Sequence, residues 1–178
     1  MRILGVDPGS RAAGWAVVDF AGKPVLIGAG VLRPPLTVTF SQRLAFLHRA
    51  LGEVLAAQRP DVAAVERVFS GVNAQSLISL GEARGVLLLA LAQAGIATAE
   101  VTPAEIKRAV AGSGGAEKEQ VRRMVAALLG RRLAFDAADA AAAALTHGFT
   151  AARRGASFAP APVPPVALPA RVKRRPAG

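Results

Sequence analysis

The chain opens with an apolar run, Ile3 to Val6, that ends on Asp7; after the turn Pro8-Gly9-Ser10 a second apolar run, residues 13–19, ends on Asp19. Runs this short, divided by turn residues, predict a pair of strands. Gly22, Lys23 and Pro24 mark another turn and the apolar pattern resumes over 25–33, which predicts a third strand and an antiparallel meander. From Ser41 the period changes: Leu44, Leu47, Leu51 and Leu55 recur at helical spacing until Pro60 stops them,. Asp61 then opens DVAAVE, a short run with the character of a buried strand. The pattern further predicts a helix over roughly 73–93, a strand over 96–101, and a helix capped by Thr102 with Pro103 in its first turn,. Gly112 to Gly115 break that helix, another starts near Glu117, and a last one begins at Asp136. The order βββαβαβααα implies an α/β fold: a sheet flanked by helices, with the meander on one side and parallel crossovers on the other.

Beyond residue 152 the periodicity ends. Residues 153–178 are rich in Pro, Ala and Arg and lack the apolar pattern that would offset the entropy of ordering them, so a disordered basic tail is expected behind a domain of residues 1–152. The apolar stretch from Gly85 to Ala99 is interrupted by Gln93 and falls short of the roughly 18 residues of a membrane span. It reads as a buried helix followed by a strand. Asp7 and Pro8 interrupt the first apolar run before a signal-peptide core could form, which places the product in the cytoplasm.

Composition narrows the chemistry. The chain has no cysteine and two histidines, His48 and His147, so disulfides, zinc fingers and a cysteine nucleophile are excluded and any metal must be held mainly by oxygen. Its 22 Lys and Arg against 12 Asp and Glu give a net charge of +10, which points to a polyanionic partner, nucleic acid before membrane. Six of those basic residues and no acid lie in 151–178, leaving 16 basic against 12 acidic residues in the first 150; the body is only mildly basic.

Asp7 closes the first strand, at the carboxyl end of a sheet where α/β proteins place their ligand sites; it is equally the residue type that caps a Pro-Gly turn. Glu66 closes DVAAVE in the same way, as a second site acid or as a solvated partner of Arg67. Asp136 and Asp139 are three residues apart and project from one face of the last helix, where they either cap its start or present oxygens outward. Lys107 and Lys118 are surface lysines by default. The stretch AGSGGAEK lacks the Gly-Lys-Ser/Thr of a phosphate-binding loop, and no G-x-G-x-x-G follows the first strand,. Phe69, three residues after Glu66, is either core packing at a strand end or an aromatic left exposed in the polar loop Ser70 to Asn73.

Taken together, ILGVDPGS, VERVF, AEIK, AEKEQV and DAADAAAAALTHG resemble, in order and spacing, the RuvC family of Holliday junction resolvases, over Arg2 to about Phe149. The resemblance implies an RNase H-like fold with a mixed five-stranded sheet, in which Asp7, Glu66, Asp136 and Asp139 match the catalytic, metal-binding carboxylates. Some family members carry His at the position of Asp136. Lys107 and Lys118 match basic positions linked to activity and DNA, and Phe69 matches an aromatic that acts on DNA at the crossover. A homodimer that works beside a branch-migration helicase complex is implied, cutting four-way junction DNA symmetrically during recombination and repair.

The donor set agrees with that chemistry. Four hard oxygen ligands select Mg²⁺, with Mn²⁺ as a substitute, and two such ions about 3.5–4 Å apart suit in-line hydrolysis of a phosphodiester that leaves a 5′ phosphate. An actin-like or sugar-kinase-like phosphotransferase would share the opening strand-turn-strand, but it needs a duplicated domain for which this chain is too short. A catalytically silent basic module would suit the tail, yet acids converging on one sheet edge would repel phosphate without a cation.

Overall fold

The computed structural model describes residues 1–67 and 73–153; Phe69 and residues 154–178 lie outside them. Five strands and five helices follow in the expected order: β1 (Arg2–Asp7), β2 (Ala13–Asp19), β3 (Val25–Leu32), α1 (Phe40–Gln58), β4 (Val62–Glu66), α2 (Ala74–Gln93), β5 (Ala97–Val101), α3 (Pro103–Ala111), α4 (Lys118–Leu129) and α5 (Phe135–Arg153). The sheet order is β3-β2-β1-β4-β5. The meander β1-β2-β3 is antiparallel, and β4 and β5 join it in parallel on the other side of β1.

Strand alternation sorts the core into two layers. Ile3, Ala16, Val18, Val62 and Ala64 face α3, α4 and α5. Leu4, Val6, Val17, Ala63 and Val65 face Leu47, Leu51 and Leu55 of α1 and Ala83, Leu87 and Leu91 of α2. Local sequence fixes the helix ends. Thr39 and Gln42 form a reciprocal capping box at α1, as do Thr102 and Glu105 at α3, where Glu105 Oε2 accepts from the Thr102 N–H at 2.7 Å,. The left-handed Gly112, at φ 77°, then ends α3,.

The helical run from Gly85, expected to be buried, is buried on one face only: Leu87, Ala90 and Leu91 are enclosed while Leu89 is exposed, and α2 as a whole is less buried still. Among the described residues it has the length and hydropathy of a membrane span, but only 22% of that window is buried, and Leu77, Ile78 and Leu89 stand exposed. The strand and helix pattern located the element; hydropathy over-read its burial, because Leu77, Ile78 and Leu89 add apolar residues to an outward face that also carries Gln75, Ser76, Glu82 and Gln93.

One helix crosses the middle of the sheet. Residues 140–144 of α5 are all alanine and fully buried, so the helix backbone sinks onto β1 and β2. A Cβ on Gly5 would stand 1.8 Å from the Ala140 carbonyl oxygen, and one on Gly14 1.9 Å from that of Asp136. Neither obstacle is a flexible side chain, so the two glycines set the depth of α5. Gly5→Ala should therefore lower stability by about 3 kcal/mol, roughly 6–12 °C in Tm. Gly52→Ala, where a Cβ on α1 meets nothing within 4 Å, should be neutral or gain up to about 1 kcal/mol. Thermal unfolding of the two variants side by side checks this.

Candidate active site

Strand register brings the first two acids together. Val6 pairs with Val65 across the parallel β1-β4 ladder, so Asp7 and Glu66, each one residue further, end adjacent strands on the same face, the one covered by α5. Asp7 pairs with Gly14 on its other side, and the carbonyl of Asp136 rests over that glycine. The close approach of α5 to β2 thus lowers the helix start, with Asp136 and Asp139, onto the strand ends. Lys107 of α3 and Lys118 at the head of α4 complete the group: both line, with Glu66 and Asp139, a small cleft of about 40 Å³ floored by Ile106 and Val121.

Electrostatics tie the four acids into one unit. Burial at the strand end pushes the Asp7 carboxyl up to about 7, helped by repulsion from Glu66, Asp139 and Asp136, while Lys118 pulls the other way. Glu66 is also raised, first by burial and then by Asp139, again with Lys118 opposing. Carboxylates packed so that they resist ionisation form a hole for a cation, and hard oxygen donors suit a divalent ion such as Mg²⁺ or Mn²⁺. Among the described residues no three acids are already drawn in around a single point. Two of the four are engaged by arginines instead. Asp139 accepts from Arg122 Nε at 3.2 Å and Nη2 at 3.0 Å, and Asp136 Oδ2 lies 3.6 Å from Arg33 Nη2.

The contacts also bear on the alternatives left open by the sequence. Glu66 is not the partner of Arg67, which donates to Glu100 at 2.7 Å; Glu100 takes Arg84 on its other oxygen. Asp136 and Asp139 turn their carboxylates to Arg33 and Arg122 as described. Arg122 was not singled out by sequence reasoning, although its signal was available: it lies four residues after Lys118 and so shares that lysine's face of α4. Arg33 had none, because only the sheet order brings the end of β3 beside α5. Phe135, 66% exposed, was also missed; its ring lies 4.3 Å from the Arg122 guanidinium carbon. A larger cavity of about 510 Å³, lined by Glu100, Glu105, Arg108, His147 and Arg153, opens on the opposite face of α3 and holds none of the four acids.

The model of the family described as crossover junction endodeoxyribonuclease RuvC matches residues 3–147. A crossover junction endodeoxyribonuclease RuvC of Azorhizobium caulinodans is 46% identical over 163 residues, covering 88% of this chain and 96% of that protein. One from Sorangium cellulosum is 44% identical over 182 residues, covering 97% and 99%. Among solved structures, Thermus thermophilus RuvC in complex with a Holliday junction substrate superposes with a TM-score of 0.81 at 35% identity, over 87% of this chain and 96% of that one.

The acid cluster makes a stability prediction that needs no substrate. Across about pH 4–7 the folded protein keeps a proton on Asp7 that the unfolded chain has released, so without divalent cations stability falls as the pH rises through that window. In EDTA, Tm should be higher near pH 5 than near pH 8. Asp7→Asn should raise Tm at pH 8 by roughly 3–10 °C, a gain of about 1–3 kcal/mol, and flatten the pH profile. A variant that melts below the parent in EDTA at pH 8 would show that Asp7 is not under repulsion.

Proposed function

This chain belongs to the RuvC family of crossover junction endodeoxyribonucleases and is a Holliday junction resolvase with an RNase H-like fold, and we propose that Asp7, Glu66, Asp136 and Asp139 are its catalytic, metal-binding carboxylates. The observation that carries this assignment is the coupling of Asp7 to the other three acids. Nucleases of this family depend on divalent metal. We propose Mg²⁺, two ions per site, with Mn²⁺ able to substitute. When bound, such ions activate a water and stabilise the leaving oxygen at phosphorus.

The protein's own groups do the rest. Asp7 and Glu66, fixed at the ends of β1 and β4, provide rigid oxygens, and α5 supplies two more on a separate element. Lys118, exposed beside the cleft and acting on both strand-end acids, is placed to offset charge developing on a scissile phosphate. Lys107 contributes a second positive charge to the same cleft and, with Lys118, contacts DNA. Phe69, three residues after Glu66 in sequence and outside the described residues, is assigned to unstacking bases at the crossover. The basic segment 153–178, outside the 1–152 nuclease domain, adds sequence-independent affinity for phosphate. The cytoplasm is the assigned location, and a branch-migration helicase complex is a partner implied by the family.

The homodimer rests on α2. A 20-residue helix with Leu77, Ile78 and Leu89 exposed presents an apolar ridge that a second copy can cover about a two-fold axis. Such a dimer supplies the two sites that symmetric cleavage of a four-way junction requires.

Two measurements test this reading. Asp7→Asn should bind a four-way junction within about twofold of the parent, because phosphate contacts dominate affinity, and should cut it at least roughly 10²–10³-fold more slowly with Mg²⁺. Full cleavage by the variant would reject the metal-site assignment. Ile78→Glu, on an exposed position, should keep the fold but sediment as a monomer; sedimentation at an unchanged dimer mass would remove α2 from the interface.

A further inference from the structure

The fork between Arg122 and Asp139 stands apart from the proposed chemistry. Arg122 donates through both Nε and Nη2, one to each carboxylate oxygen, so both oxygens of Asp139 are engaged by a single planar cation. The pair is sheltered: the side chains are 22% and 21% exposed. Its far side is held as well, because the exposed ring of Phe135 covers the guanidinium at 4.3 Å. Arg122 projects from α4 and both of its partners from the first turns of α5, so the contact also ties the two helices together at the rim of the site.

We propose that Arg122 is a built-in counter-cation that competes with divalent metal for Asp139 and so sets the metal concentration at which the site becomes loaded. This rests on the assignment of Asp139 as a metal-binding carboxylate. A guanidinium uses the in-plane directions of both oxygens, the same directions in which a carboxylate prefers to meet a cation. A divalent ion beside it would also face a fixed positive charge in a partly buried setting, where repulsion is poorly screened. Loading therefore requires the fork to open. Phe135 raises the cost of opening, because its ring stabilises the guanidinium in the forked position. Arg122 is thus a positioning residue: it touches no substrate and acts through Asp139. Lys118, on the same face of α4, makes no such fork and lines the cleft independently.

The test reads metal binding itself. Full-length protein without DNA is titrated with Mn²⁺, free Mn²⁺ being followed by electron paramagnetic resonance. Arg122→Gln should bind Mn²⁺ about tenfold more tightly than the parent, equivalent to ~1.4 kcal/mol. Arg122→Lys, which keeps the charge but cannot fork, should fall between the two and serves as the readable variant if glutamine impairs folding. Tm in EDTA should fall in Arg122→Gln, and the gain in Tm on adding Mn²⁺ should exceed that of the parent. In an Asp139→Asn background the substitution at 122 should no longer change Mn²⁺ affinity. Unchanged or weaker Mn²⁺ binding by both Arg122 variants, with normal binding by the parent, overturns the inference and leaves the metal site standing. Failure of the parent to bind Mn²⁺ overturns both.

Discussion

The arrangement depends on how closely α5 can approach β1 and β2. At Gly5 and Gly14, beneath a helix face of alanines, a helix backbone meets a sheet backbone with no side chain between them. The spacing left is set by hard contacts between main-chain atoms, which do not relax as side chains do. Everything chemically interesting is referenced to that contact. Asp136 is the residue whose carbonyl rests on Gly14, and Gly14 is the register partner of Asp7. The separation of the helix acids from the strand acids therefore follows from backbone packing and not from the reach of flexible side chains.

That rigidity has an electrostatic consequence. Four carboxylates fixed near one another cannot relax apart, so the fold must either hold a proton, as Asp7 does, or supply cations. It does both: Lys118 acts on Asp7 and Glu66 from α4, and Arg33 and Arg122 take one helix acid each. Among the described residues the strand-end acids make no salt bridge, while the helix acids make one each.

The order and type of every described element could be read from the apolar pattern, since short runs ending in acids and turn residues mark strands, and the Leu44-Leu47-Leu51-Leu55 spacing marks α1. The four acids were legible for the same reason: strand ends and a helix start are recognisable positions, and each carries a carboxylate. What the pattern could not supply was anything that depends on side-chain direction between elements distant in sequence. Arg67 adjoins Glu66 in sequence but crosses to Glu100 on β5, because adjacent residues on an extended chain point to opposite sides. Arg33 meets Asp136 only because β3 and α5 lie side by side. The apolar length of α2 was read as burial, whereas the sheet beneath it covers only one side of that helix.

The cross-tie of Glu100 with Arg67 and Arg84 has an implication for how a polyanion meets this end of the sheet. Glu100 pairs in register with Val65, not with Glu66, so it belongs to the face opposite the acid cluster, and there two guanidiniums outnumber one carboxylate. The same sheet edge therefore differs across its thickness: on the α5 side the four acids are matched by Arg33, Arg122, Lys107 and Lys118, whereas on the α2 side two guanidiniums share one carboxylate. A phosphate backbone thus meets a different field on each face of one edge: cations already shared among carboxylates on the α5 side, and positive charge in excess of negative on the α2 side.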